Sequence, residues 1–83
     1  MIEEDYRYIS CGGDPLTYLK SAFKAMKIEL EPGQEGRMLL TKEKFPYDRN
    51  IFSSLAAQNA MDITKFEEKE GELTIELLRN QQN

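Results

Sequence analysis

The sequence predicts a two-layer α/β sandwich, with two helices on one face of a four-stranded mixed sheet. In two stretches, apolar residues recur at spacings of three and four, which is the period of an amphipathic helix. Short apolar runs flank those stretches, and the last run alternates polar and apolar residues, as a half-exposed strand does. Strands with one apolar face need a covering layer of helices. The predicted order is β-α-β-α-β-β.

The first strand is predicted at Tyr6–Ser10, which is aromatic and β-branched and is followed by Gly12 and Gly13. Asp14 and then Pro15 predict a helix start, because Asp caps free N–H groups and Pro suits the first helical position. The apolar stripe of this helix is Leu16, Leu19, Phe23, Met26 and Leu30, with Lys20, Lys24 and Lys27 on the other side.

The first helix is expected to end near Glu31, because Pro32-Gly33 cannot continue it. The apolar run at residues 37–41 predicts the second strand, and a loop containing Pro46 follows. Asp48 is expected to cap a second helix. The apolar face of that helix is Ile51, Phe52, Leu55, Ala56 and Ala60.

The closing segment is predicted to be an antiparallel hairpin. Residues 63–69 are a weak strand candidate, because only Ile63 and Phe66 are strongly apolar. Glu70-Gly71 predicts a tight turn, and residues 72–77 alternate as a strand should. Residues 79–83 are expected to form a polar, frayed tail.

Size, charge and composition restrict the function. The chain has 83 residues, enough for one domain spanning residues 1–83, and its net charge is −4. An acidic domain repels phosphate backbones, which argues against nucleic-acid binding. The acidic N-terminus lacks an apolar signal segment, and no apolar run reaches the ~20 residues of a membrane span. We therefore expect a cytoplasmic protein with no membrane partner.

Cys11 is the one cysteine of the chain, and the sequence contains no histidine. No internal disulfide and no Cys–His pair can form, and we expect neither a metal site nor a cofactor. Cys11 precedes a predicted helix start, where free N–H groups and the helix dipole stabilise a thiolate. The carboxylate of Asp14 acts against this, because it disfavours the thiolate and takes the capping N–H groups. A half-buried cysteine that merely ends a strand is the plainer interpretation.

The order of elements, the position of Cys11, Pro15 and the Pro32-Gly33 turn together resemble the TusA/SirA-like sulfur-carrier family. The resemblance covers residues 6 to about 79 and implies a small cytoplasmic α/β sandwich. The family motif is Cys-Pro-x-Pro, whereas this chain has Cys11-Gly12-Gly13-Asp14-Pro15. The resemblance implies a carrier that holds persulfide sulfur on Cys11 and is an enzyme only in a loose sense.

In that role, Gly12 and Gly13 would leave the sulfur open to partners, and Asp14 and Pro15 would complete the binding segment. The implied partners are a protein donor, either a cysteine desulfurase or a rhodanese-like protein, and a protein acceptor. A non-catalytic interaction or regulatory module on the same scaffold is the alternative, motivated by Asp14 and by the missing first proline. RNA binding is a third hypothesis, which the net negative charge of the chain opposes.

Two further clusters have ordinary structural explanations. The basic residues Lys42, Lys44 and Arg49 surround Phe45 and Tyr47, a pattern that suits an acidic partner or a nucleic-acid strand. Such a loop is more often solvated, with its aromatic residues packed on the core. The carboxylates at Glu67, Glu68, Glu70 and Glu72 flank the predicted turn, where a solvated face is the default.

Overall fold

A computed structural model describes residues 1–9 and 13–81 of the chain. Its elements are β1 (Ile2–Asp5), α1 (Pro15–Glu29), β2 (Glu35–Thr41), α2 (Arg49–Gln58), β3 (Met61–Lys69) and β4 (Glu72–Arg79). The strand order across the sheet is β1-β2-β4-β3. β1 runs parallel to β2, and β4 pairs antiparallel with both β2 and β3. The predicted fold class and order of elements are confirmed.

One face of the sheet forms the core together with both helices. Met38 and Leu40 of β2 lie opposite Ile75 and Leu73 of β4, and all four side chains are fully buried. The helices contribute Leu19, Ala22, Phe23 and Met26 from α1 and Phe52, Leu55 and Ala56 from α2. Burying a large apolar side chain contributes about 1.5–3 kcal/mol. This cluster therefore accounts for the two-layer arrangement.

The first strand lies earlier in the chain than Tyr6–Ser10, so that prediction is wrong. β1 pairs with β2 from Ile2 to Asp5, and the last rung is the N–H of Tyr6 donating to the carbonyl of Leu39 (2.8 Å). The chain then turns, and the N–H of Arg7 donates to the Asp5 carboxylate (3.0 Å). An aspartate that binds the backbone two residues onward starts a turn of its own. That local bond outweighs the strand propensity of the aromatic residues.

β3 contains a bulge, which explains why its apolar pattern is weak. Ile63 lies opposite Leu77 and Phe66 lies opposite Ile75, with a register shift between Ile63 and Lys65. One extra residue in the strand brings side chains three positions apart onto the same face. Ile63 and Phe66 therefore both pack against the core. The predicted strand is confirmed and begins two residues earlier, at Met61.

Both predicted turns adopt left-handed backbone at the expected positions. Glu70 and Gly71 have φ of 52° and 79°, and a two-residue hairpin loop with both φ values positive is a type I′ turn. In the Pro32-Gly33 turn, Gly33 has φ of 85° and the N–H of Gln34 donates to the carbonyl of Glu31 (2.9 Å). α1 itself ends at Glu29, slightly before the predicted end.

Arg79 belongs to β4, so the prediction of a polar tail starting at this residue is wrong. Its N–H donates to the carbonyl of Gln34 (3.0 Å), and its guanidinium Nη1 donates to the carbonyls of Lys27 and Leu30 (both 2.8 Å). The last carbonyls of a helix lack partners within the helix. Arg79 fills that need for α1, while its pairing with Met61 of β3 keeps it in the strand. The last two residues of the predicted tail lie outside the described residues.

Candidate functional site

Three connections meet at one edge of the sheet, which we call the loop edge. It comprises the described parts of the β1–α1 connection (residues 6–9 and 13–14), the β2–α2 connection (residues 42–48) and the turn at Glu70 and Gly71. Their contacts are direct, since the N–H of Lys42 donates to the carbonyl of Gly71 (2.8 Å) and Arg7 Nη1 donates to Glu72 Oε1 (3.3 Å). Both helices begin at this edge, because β1 and β2 are parallel and each is followed by a helix.

Cys11 and Gly12, two of the predicted site residues, lie outside the described residues. Gly13 is exposed, and a Cβ atom built on it would meet no atom of the described chain within 4 Å. On the other side of the gap, the side chain of Tyr8 is 80% exposed. Next to the cysteine segment (residues 10–12), Gly13 and Tyr8 are therefore at the molecular surface, whereas Ile9 is half-buried and packs against the core. The predicted role of Cys11 stays a prediction.

Asp14 caps α1 as the sequence predicts, with Pro15 at the first helical position. Asp14 Oδ1 accepts the N–H of Leu16 (3.1 Å), and Oδ2 accepts the hydroxyl of Thr17 (3.0 Å). Pro15 has no N–H, and the N–H of Tyr18 bonds to the carbonyl of Asp14 (3.1 Å). Of the free donors at the start of α1, at most the N–H of Thr17 is left for an anion. The helix start thus offers less stabilisation to a thiolate than an uncapped one.

Arg7 and Tyr8 form an ordered corner beside the cysteine segment. Arg7 donates through Nη2 to Asp5 Oδ2 (2.8 Å) and through Nη1 to Glu72 Oε1 (3.3 Å), and its guanidinium carbon lies 5.2 Å from the centre of the Tyr8 ring. Hydrogen bonds from Arg7 lower the pKa of Asp5 to about 2. Because two carboxylates hold the guanidinium in place, the exposed Tyr8 ring packs against a cation whose position is fixed. No local sequence pattern marks this corner, because Glu72 lies 65 residues from Arg7 in the chain.

Tyr6 lies behind this corner, against the first turns of α1. Its ring packs edge-to-face on Tyr18 with the ring centres 6.0 Å apart, and the Tyr18 ring lies 6.2 Å from that of Phe45. Burial, with the nearby Glu4 carboxylate as a smaller cause, raises the pKa of Tyr6 to about 12. The phenol is therefore protonated at neutral pH and does not act as a base there.

The basic residues of the β2–α2 connection bind backbone carbonyls. Lys42 Nζ donates to the carbonyl of Tyr47 (3.0 Å), within its own loop. Lys44 Nζ donates to the carbonyl of Arg7 (3.0 Å) and to the carbonyl of Ile9. The β2–α2 connection thus lies on the same side of the molecule as residues 7–9 of the β1–α1 connection.

The aromatic residues of that connection are packing residues. Phe45 is fully buried in the core, and the ring of Tyr47 lies 6.5 Å from that of Phe52. Their faces are therefore not free to stack on bases, which favours the structural interpretation of this loop over nucleic-acid binding. Arg49 is exposed at the first residue of α2.

The acidic residues around the hairpin turn are solvated. Glu67, Glu68, Glu70 and Glu72 are all exposed. Glu72 accepts from Arg7, and Glu68 lies 4.0 Å from the ammonium of Lys42. Among residues 1–9 and 13–81, no three acidic side chains gather in a way that would hold a metal ion. The helices in the described part of the chain are too short or too polar to cross a membrane.

The fold and the loop edge together define a two-layer α/β sandwich whose candidate residues lie in the connection between its first strand and first helix. Comparison with known proteins assigns the chain to no family, because it matches no family model and no curated sequence.

Proposed function

We propose that this protein is a sulfur carrier of the TusA/SirA-like kind, which relays persulfide sulfur on Cys11 between partner proteins. The observation that supports it is the exposure of Tyr8 and Gly13, on either side of residues 10–12, although Ile9 itself is half-buried against the core. A carrier must meet a donor protein and then an acceptor protein, so its thiol has to belong to a surface loop. The sheet order pairs β1 in parallel with β2 around α1, as the resemblance implies, but β1 ends at Asp5, before residues 6–79 on which the resemblance was based.

The transfer needs only the thiol of this chain. The Cys11 thiolate attacks the outer sulfur of a persulfide on the donor, a cysteine desulfurase or rhodanese-like protein. The donor's S–S bond breaks, its inner sulfur leaves as a thiolate, and Cys11 becomes a persulfide. An acceptor thiolate then attacks the outer sulfur of Cys11 in the same way. No net oxidation occurs, and neither a metal nor a cofactor is required.

Mass spectrometry of the intact protein tests this proposal. After incubation with a persulfide-bearing donor, the wild-type chain should gain the mass of one sulfur atom, and Cys11→Ser should gain none. Because Cys11 is the one cysteine, the variant removes every thiol of the chain. A wild-type protein that takes no sulfur from either class of donor contradicts the proposal.

A non-catalytic interaction module is the second candidate, and the cap at Asp14 favours it. Asp14 places a carboxylate at the start of α1 and occupies the N–H of Leu16. Both effects lower the thiolate fraction of a nearby cysteine. Alkylation of Cys11 measured against pH separates the two functions. A thiol that titrates at or above about 8.5, the value of a free cysteine, favours the module.

A further inference from the structure

The tyrosines of this chain gather at one end of the molecule. Of the four, Tyr6, Tyr8 and Tyr47 belong to the loop edge, and Tyr18 packs on Tyr6 from the first turns of α1. Three of them are half-buried, whereas Tyr8 is 80% exposed. Tyrosine is enriched in protein interfaces, because its ring covers a large area and has few rotatable bonds. Tyr8 is therefore the residue of this group that a partner could cover.

The side chain of Tyr8 rests on a cation that cannot move freely. The guanidinium carbon of Arg7 lies 5.2 Å from the centre of the Tyr8 ring. Nε and Nη2 of Arg7 donate to the carboxylate of Asp5 (2.9 and 2.8 Å), and Nη1 donates to Glu72 Oε1 (3.3 Å). One face of the ring is thus supported by Arg7, and the exposure of Tyr8 belongs to the rest of the ring.

The backbone around Tyr8 is held as well. Lys44 Nζ donates to the carbonyl of Arg7 (3.0 Å) and to the carbonyl of Ile9, the residues on either side of Tyr8. The residue after Lys44, Phe45, is fully buried in the core. An exposed ring on an anchored backbone has little conformational freedom to lose when a partner covers it. Tyr8 is consequently presented as a preorganised contact.

The charges exposed within the described loop edge are negative. Arg7, Lys42 and Lys44 are half-buried, and each donates to an acceptor of this chain. The exposed charges are the carboxylates of Asp14, Glu43, Asp48 and Glu70, with that of Glu72 beside them. Two exposed cations border this edge, Arg49 at the start of α2 and Lys69 at the end of β3. A surface with this excess of carboxylates repels phosphate polymers and attracts basic segments.

A guanidinium is the basic group that suits this surface best. It stacks on an aromatic ring and donates paired hydrogen bonds to a carboxylate, whereas an ammonium is a compact point charge. Tyr8 offers the ring, and Glu72 offers a carboxylate on the other side of Arg7. Because Asp5 and Glu72 both pair with Arg7, a second cation on the free face of Tyr8 meets little repulsion.

We propose that the loop edge is a docking surface for a basic, arginine-bearing segment of a partner protein, with Tyr8 as its aromatic anchor. The arginine stacks on the free face of Tyr8, and the exposed carboxylates attract the positive charge around it. The inference goes beyond the proposed function, because it names the surface and the chemistry of the segment that binds there. It makes no use of Cys11.

The probe for this surface is a short peptide of alternating arginine and glycine, titrated into the full chain and followed by the NMR shifts of the backbone amides. The shifts should concentrate at residues 6–9, 42–48 and 70–72 and should stay small at Lys24 and Ile28 on the exposed side of α1. A matched peptide with lysine should bind more weakly, and one with glutamate should not bind. Added salt should weaken the binding of the arginine peptide.

Three variants test the role of Tyr8. Tyr8→Ala should weaken the binding of the arginine peptide about five- to twentyfold, as the loss of an interface anchor does. Tyr8→Phe keeps the ring and should bind within about twofold of the wild type. Ile28→Ala is the matched control and should bind as the wild type does. Ile28 is also exposed (77%), but it lies in the last turn of α1, at the opposite end of the helix from the loop edge.

The inference is overturned if Tyr8→Ala binds the arginine peptide as tightly as Ile28→Ala, or if the shifts lie away from the loop edge. Tighter binding of the glutamate peptide or of single-stranded DNA at the same residues overturns it too, because the occupant would then be a polyanion. Shifts at residues 6–9 that grow with the concentration of the chain alone assign the surface to a second copy and overturn it equally.

These readouts need neither a thiol nor a sulfur donor, so the two proposals fail independently. A protein that takes up no sulfur but binds the arginine peptide through Tyr8 refutes the carrier and keeps the docking surface. A protein that takes up sulfur and does not bind the peptide refutes the docking surface alone.

Discussion

Replacing Arg79 with Met should destabilise the fold far more than its place near the end of the chain suggests. Nη1 of Arg79 donates to the carbonyls of Lys27 and Leu30, both at 2.8 Å, and thereby closes the C-terminal end of α1. Met fills a similar volume and donates no hydrogen bond. The variant therefore leaves two helix-end carbonyls without their partner.

The expected loss follows from those two bonds. A hydrogen bond from a charged donor contributes about 1.5–3 kcal/mol, and partial exposure places these two at the low end, about 3 kcal/mol together. The Nε atom of Arg79 is buried and has no partner among the described residues, and removing it returns about 1 kcal/mol. The net loss in free energy of unfolding is about 2 kcal/mol. For a domain of this size, that lowers Tm by roughly 8–16 °C.

Thermal and urea unfolding followed by circular dichroism measure the change. Arg49→Met is the control, since Arg49 is exposed and a surface substitution of this kind changes stability by about 0.5 kcal/mol or less. Arg79→Lys keeps a charged donor and should fall between the wild type and Arg79→Met. The reasoning is refuted if Arg79→Met melts within the range of the Arg49→Met control.

Three other substitutions test separate features by urea unfolding. Glu70→Asn should raise the free energy of unfolding by about 0.5–1 kcal/mol, because Glu70 has φ of 52° and Asn tolerates that region; an unchanged midpoint would contradict the type I′ assignment. Gly36→Ala should lower the free energy of unfolding by about 1–3 kcal/mol, since its Cβ would lie 2.8 Å from Met26 Sδ. An unchanged free energy of unfolding would mean that the Met26 side chain moves aside. A side-chain hydrogen bond with Glu4 raises the pKa of Glu29, so the ionised carboxyl is disfavoured in the fold. Glu29→Gln should therefore stabilise the protein at neutral pH and have little effect below the ordinary value of 4.5; equal effects at both pH values would refute the pairing.

Features encoded by neighbouring residues were predicted well from the sequence. Asp14 with Pro15 predicted the start of α1, and Asp48 predicted the cap of α2, where it accepts the N–H of Ile51 (3.3 Å). Glu70-Gly71 predicted the hairpin turn. Caps and tight turns depend on the dihedral angles and side chains of a few adjacent residues, so the local sequence contains the information needed to place them.

Edge strands were predicted less well, because their pairing partners lie far away in the chain. The residues of β1, Ile2–Asp5, lack an apolar alternation, and the strand exists because it pairs in parallel with β2. In β3, the bulge between Ile63 and Lys65 disrupts the period of two on which the strand prediction relied. Strand propensity depends strongly on packing against neighbours, which a single sequence does not display.

Some residues of the candidate site were likewise predictable from their neighbours in the sequence, and others were not. Asp14 and Pro15 were placed correctly at the helix start, and Gly13 is exposed as an accessible site requires. Lys44 was assigned only to a basic loop, because its partners, Arg7 and Ile9, belong to the other connection. The signal available in the sequence was a lysine beside a buried aromatic residue, which many solvated loops share.

The sequence by itself determined the number, type and order of the elements, the two helix caps and the two glycine turns. Those features follow from apolar periodicity and from backbone preferences that act over a few residues. Tertiary structure alone decided where β1 lies, which carbonyls Arg79 and Lys44 bind, and that both helix-bearing connections share one edge. Each of these depends on groups brought together from distant positions by burial of the common core, which no local pattern records.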